Sequence, residues 1–268
     1  MTVGNAVLEL EVGKSIDGLL ENSPLKFSEE CLPAASVCWY KIKYRSADPS
    51  LPTVIINQGG SPLTITKVTD VSVVRAKKEE TISDFSVTLL GLPDNTDHEE
   101  NRKLVYKLLS DFSAAGWKKY FYPSDPRISG TELGKIPPGN RVFGESPLSK
   151  PMFDPNVELS LDRWVAVKTF YDWYLYSGNT FAHVMVQRRD SDTSPESKGT
   201  YLISIDFTAQ ETTWALNFEE DDRPNWKSLF PARLKELRLR RDVAEKFARD
   251  AGVAIEENYE APKMELMK

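Results

Sequence analysis
The chain has 268 residues, 40% of them hydrophobic and 28% charged. That balance excludes an intrinsically disordered chain, and the length predicts one large or two ordinary domains. Lys and Arg number 34 against 40 Asp and Glu, a net charge of −6, which speaks against nucleic-acid binding, because such binding rests on a cationic surface; no apolar run reaches the roughly 20 residues needed to span a bilayer.

The opening segment, Met1-Thr2-Val3-Gly4-Asn5, has neither the basic stretch nor the apolar core of a signal peptide. This predicts a cytoplasmic protein, or a periplasmic one whose leader was removed. Ala6–Val12, Val37–Tyr44 and Thr53–Ile56 alternate as short strands, and Leu63, Ile65, Val68, Val71 and Val73 continue the β-rich pattern. Cys31 and Cys38 are the only cysteines. They read either as small core residues or as a local disulfide, which requires an oxidising compartment. The polar stretch Lys77-Lys78-Glu79-Glu80 marks an expected domain boundary, giving a small β-rich N-terminal unit over residues 1–80.

Residues 81–268 change character. Phe85, Val87, Leu89 and Leu90 form a buried strand ended by Gly91-Leu92-Pro93. Thr96 and Glu99 have capping-box spacing, and Leu104, Leu108, Phe112 and Ala115 follow at helical spacing, with Gly116 suited to the left-handed residue after the helix. Trp117–Tyr122 reads as a strand. Residues 123–156 contain seven prolines and predict a long loop. A short helix capped by Ser160 and strands over Trp173–Tyr176, Phe181–Gln187 and Thr200–Phe207 come next, with a tight turn at Ser177-Gly178-Asn179 and a polar hairpin loop at 190–199. Asn225–Gly252 is helical, with Trp226, Phe230, Leu234, Leu237, Ala244, Phe247 and Ala251 on its apolar side and Pro231 in its first turn, and Asn258–Lys268 reads as a tail. The expected fold class is α+β: the β-rich unit, then a domain with a largely antiparallel sheet covered by helices.

Catalytic signatures are sparse. His98, in a helix first turn, reads as solvated, and His183 as a structural or surface strand residue. Gly13-Lys14-Ser15 ends like a phosphate loop, but Leu8 stands where its first glycine belongs. His98-Glu99-Glu100 lacks the second histidine of a zincin, and no nucleophile elbow or metal-ligand spacing occurs. The sequence therefore predicts no enzyme, no catalytic residue, no cofactor and no metal. Glu219-Glu220-Asp221-Asp222 is the outstanding acidic cluster. It is either a solvated lead-in to the last helix or an acidic contact for a basic partner, which would relieve its self-repulsion. Arg238–Arg241 reads as a solvated helix face.

The order of motifs carries a resemblance over residues 83–262: a strand ending in Gly-Leu-Pro, a helix leading to Ala115-Gly116-Trp117, then Tyr122-Pro123-Ser124-Asp125-Pro126-Arg127, Leu161-Asp162-Arg163-Trp164, Ile205-Asp206-Phe207 and Asn258-Tyr259-Glu260-Ala261-Pro262. This resembles the immunity proteins that accompany phospholipase effectors of type VI secretion systems. The resemblance implies a non-enzymatic protein that binds a cognate lipase effector and occludes its active-site entrance or lid. It also implies periplasmic residence, often by a lipoprotein anchor, although this chain shows no lipobox. An adaptor that loads a secreted effector in the cytosol is the alternative, and a hydrolase using scattered carboxylates ranks below both. Contacts are expected from loops 123–156, 190–199 and 217–224, through Asp125, Arg127, Asp190, Asp192, Glu219, Glu220, Asp221 and Asp222. For Asp125 and Arg127 a second reading is open, that they pin the loop internally.

Overall fold
The computed structural model describes residues 6–58, 60–76, 80–136, 141–143, 147–168 and 170–263. Its strands are β1 (Val7–Leu10), β2 (Ser28–Leu32), β3 (Val37–Lys43), β4 (Thr53–Ile56), β5 (Leu63–Ile65), β6 (Val68–Ala76), β7 (Asp84–Leu89), β8 (Thr96–Asp97), β9 (Lys118–Lys119), β10 (Phe170–Ser177), β11 (Thr180–Asp190) and β12 (Lys198–Ala209). Its α-helices are α1 (Ile16–Asn22), α2 (His98–Ala114), α3 (Leu161–Ala166), α4 (Gln210–Ala215) and α5 (Trp226–Asp250).

Nine strands form one sheet in the order β2-β3-β6-β7-β12-β11-β10-β9, with β8 also on β12; β1, β4 and β5 form a small mixed sheet. Every pairing in the large sheet is antiparallel, and β1–β4 is parallel. The fold is α+β, as expected. Period-2 alternation sets the faces. In β12, Tyr201, Ile203, Ile205 and Phe207 are buried, while Leu202 and Asp206 are exposed. The buried rows meet α2 through Val105, Leu109 and Phe112, α3 through Trp164, and the small sheet through Leu8, Leu10, Val54 and Ile56, all in one apolar cluster.

The expected boundary near residue 80 separates no independent units. β7 pairs with β6 on one side and β12 on the other, so Val71, Val87 and Ile205 lie in one row and Val73, Phe85 and Phe207 in the next. A boundary there would leave both neighbouring strands with unpaired backbone groups. Residues 77–79 of the expected linker lie outside the described residues.

Local readings fare unevenly. Gly116 adopts φ of +89°, as expected after α2. The Thr96 capping box is not made: Thr96 is bridged to Gly199, its hydroxyl donates to the Pro93 carbonyl at 2.6 Å, and Glu99 accepts instead from Arg102. Only Lys118–Lys119 of the expected 117–122 strand pairs in the sheet. Pro231 lies inside α5 rather than in its first turn. The C-terminal segment is docked: Tyr259 packs edge-on to Phe121 and accepts from its N–H, and Tyr176 donates to the Glu260 carbonyl. Cys31 and Cys38 face each other across the β2–β3 hairpin and are joined by a disulfide, with Cα atoms 4.0 Å apart. Cys31 is exposed on the edge strand β2, while Cys38 on β3 is partly buried and packs against the core.

Phe207 is fully buried and contacts the rings of Phe85, Phe112 and Trp117. Phe207→Ala is expected to lower the unfolding free energy by about 3–5 kcal/mol. Because the core crosses residue 80, far-UV circular dichroism and tryptophan fluorescence should report one shared urea midpoint for the variant as for the parent. Two separated midpoints would contradict the shared core.

Candidate partner-binding surface
The start of the proline-rich segment, residues 123–128, is packed down rather than projecting; residues 137–140 and 144–146 of the expected loop lie outside the described residues. Pro123, Asp125, Pro126 and Ile128 are buried. Asp125 accepts from the N–H groups of Leu148 (3.1 Å) and Ser149 (2.8 Å), closing the loop on itself. Arg127 forms a two-pronged pair with buried Glu245 of α5, Nε to Oε1 at 2.7 Å and a second nitrogen to Oε2 at 2.8 Å. Arg241, one turn earlier on α5, donates to the carbonyls of Tyr122 and Asp125. The internal reading of Asp125 and Arg127 is therefore the one realised. The Arg238–Arg241 group divides accordingly: Arg238 and Arg240 are exposed, while Arg241 seats the loop.

Burial pushes the Asp125 carboxyl up to about 6, against the pull of its backbone donors and of Arg241. Glu245, by contrast, is held below the usual carboxylate range; burial opposes this, and the hydrogen bonds from Arg127 outweigh it.

The 190–199 hairpin is also tethered. His98, read as solvated, is buried at 1% exposure. Its Nε2 lies 2.9 Å from the Pro195 carbonyl, so that nitrogen donates and Nδ1 accepts from the Tyr201 hydroxyl at 2.8 Å. Tyr201 in turn accepts from Trp164 Nε1 at 3.0 Å. This close approach needs Gly199, where a Cβ would lie 2.9 Å from the His98 ring. Asp190 Oδ1 sits 2.7 Å from Arg188 Nε, so it too is engaged internally. Asp192 is exposed at the tip, 3.8 Å from Arg189. His183 lies on the open face of the sheet, stacked on Tyr174, with Nε2 2.9 Å from Asp172 and Nδ1 3.9 Å from Asp206. The ring thus sits between carboxylates of the two flanking strands, the structural surface role expected of it.

The remaining predicted residues are free to engage a partner. Glu219, Glu220, Asp221 and Asp222 are all exposed in the turn between α4 and α5, where the Asp222 and Arg223 N–H groups donate to the Glu219 carbonyl. Among the described residues no cation pairs with these four carboxylates. Beside them, α5 carries a feature not foreseen. Its inward side holds Phe230, Leu234, Leu237, Arg241, Ala244, Glu245 and Ala248. Its outward side holds Leu239, Val243 and Phe247, exposed at 57%, 56% and 48%. Phe247 was expected on the buried stripe. The i, i+4 spacing of 239, 243 and 247 places these three on one line, opposite Arg241 and Ala248. Leu229 on the same helix and Leu216 just after α4 are exposed too. The 239–247 line extends about 12 Å at 1.5 Å per residue, and the Arg233–Glu236–Arg240 ion pairs separate it from Leu229.

The pH response of Asp125 follows from its raised value. Unfolded, it titrates near 4, so between about 6 and 4 the folded state binds the extra proton. Stability therefore rises as pH falls through that window and is lowest above 6. Relative to Asp125→Asn, the parent should gain about 2 kcal/mol of unfolding free energy between pH 7.5 and 4.5, measured by urea titration; an unchanged difference would contradict this. Arg127→Ala strands Glu245 without its main partner and should cost about 3 kcal/mol. Comparison of the chain with protein-family models, with curated proteins and with solved structures returns no match.

Proposed function
We propose that this protein is a non-enzymatic immunity protein that binds a cognate phospholipase effector of a type VI secretion system and blocks its active-site entrance or lid. The observation that carries the binding reading is the outward row of α5. Five of the eleven exposed large hydrophobic side chains, Leu216, Leu229, Leu239, Val243 and Phe247, lie on the α4–α5 segment. Concentrated exposed apolar side chains rimmed by charge are the usual composition of a protein-binding surface. The rim is present here: Arg238, Arg240, Asp242 and Lys246 flank the row, and the acidic turn Glu219–Asp222 lies before the helix.

The surface is well seated. Trp214, Trp226 and Phe230 anchor the first half of α5, and the Arg127–Glu245 and Arg241 contacts anchor the second. A preorganised face loses little conformational freedom on docking, which favours tight inhibition. The target class comes from the resemblance in residues 83–262. The Cys31–Cys38 disulfide favours periplasmic residence over a cytosolic adaptor, because such bonds persist in oxidising compartments. No helix of the described residues is long and apolar enough to cross a membrane.

The decisive experiment is co-purification with the proposed lipase partner, followed by a phospholipid hydrolysis assay with and without this protein. Inhibition at one equivalent is expected. The triple substitution Leu239→Ser, Val243→Ser and Phe247→Ser should weaken inhibition at least 100-fold, mainly through the off-rate, with the thermal midpoint unchanged. Replacing Glu219, Glu220, Asp221 and Asp222 by Ser should slow association at low salt and flatten its salt dependence. Full inhibition by the triple variant would move the binding face elsewhere.

A further inference from the structure
On the opposite side of the chain's order, β1 is an edge of the small sheet, and α1 runs alongside it. β1, Glu11 just after it, the capping Ser15 and the Gly18, Leu19 and Asn22 side of α1 line a groove of about 500 Å³. In β1 the pairing with β4 uses alternate residues: Thr53 N–H donates to Ala6 O, and Asn57 N–H to Leu10 O. In a parallel pair a residue points both its backbone groups to the same neighbour. Even-numbered residues of β1 therefore face β4, and the N–H and C=O of Val7 and Glu9 face the groove. Among the described residues no strand pairs with that edge. At the far end the edge closes, where Ile82 accepts from Gly13 N–H and donates to Lys14 O.

We propose that this groove is a strand-addition site that takes an extended, basic peptide segment of a partner protein. Unpaired strand edges beside a helix offer two kinds of recognition. Backbone hydrogen bonds fix an extended conformation, and the walls select side chains. Here the walls are acidic. Glu9 and Glu11 line the groove with Lys14 as the one cation, and Lys14 stands 3.7 Å from Glu11. The same carboxylates disfavour a second copy of this chain, because antiparallel self-pairing centred on Glu9 would set like charges opposite one another. Leu10, Leu19 and Ile82 provide the apolar floor. Gly18 keeps the helix side of the groove low: a Cβ there would meet only Ser15, at 3.4 Å.

The test titrates the isotope-labelled full chain with the acetylated, amidated peptide Lys-Val-Lys-Val-Lys, monitored by amide shifts and exchange. Amides of Val7 and Glu9 should move and exchange at least tenfold more slowly. N-methylation of alternate peptide residues should weaken binding at least tenfold, and so should Gly18→Leu, which fills the groove within an unstrained helix. Glu9→Lys should turn the preference toward the peptide Glu-Val-Glu-Val-Glu. No binding at millimolar peptide, equal affinity for the N-methylated peptide, or shifts confined to other surfaces would overturn the proposal. So would a dimer in sedimentation that Gly18→Leu disperses, which would assign the edge to a second copy. A tenfold gain in peptide affinity on removing residues 1–5 would assign it to the chain's own N-terminus, and would overturn it equally.

Discussion
The double pairing of β7 is the constraint on which the rest of the structure depends. A six-residue strand receives β6 on one edge and β12 on the other, and so welds sequence before and after residue 80 into one layer. Once that layer exists, its inward rows must be covered, and α2, α3 and the small sheet cover them. The outward face is covered at the β10–β11 turn end, where Tyr176 and Phe181 meet Trp214 and α5. The position of α5, and therefore of its exposed side, follows from where the sheet leaves apolar rings uncovered.

The second half of α5 is held by polar chemistry instead. Arg127, Arg241 and Glu245 lock the segment after Tyr122 against the helix, and Asp154 holds the far end of the loop by accepting from Gly130 N–H at 2.8 Å and from Lys119 at 2.7 Å. A long proline-rich segment thereby becomes a bed for the helix. The charges that make this bed are paired within the fold, and the apolar side chains on the other side of α5 are left to the solvent. Internal pinning and external display are two sides of one helix.

Strand positions and the fold class were legible in the sequence because alternation with period 2 is local. β4 spans the residues expected, and Gly116 and Gly178 take the positive φ that their contexts suggested. The joining of the two halves was not legible, because antiparallel partners such as Val87 and Ile205 are separated by more than a hundred residues. His98 was misread for a related reason: its burial comes from Tyr201 and the Pro195 carbonyl, on a hairpin distant in sequence. For the site, the acidic run was legible as an exposed cluster. The charges of Asp125, Arg127 and Asp190 were not legible as internal, since their partners Leu148, Ser149, Glu245 and Arg188 are identified only by folding. The row at 239, 243 and 247 did carry a signal, namely apolar spacing out of phase with Phe230, Leu234 and Leu237.

The central proposal is that the outward side of α5 meets the proposed lipase partner while the buried start of the proline-rich segment does not. Hydroxyl-radical footprinting of the protein alone and in the lipase complex tests it at side-chain level. The account predicts protection of Leu239, Val243 and Phe247 on complex formation, with no change at Tyr122, Pro126 and Ile128. Protection concentrated at residues 190–199 or on the open sheet face around His183, with α5 unchanged, would contradict it.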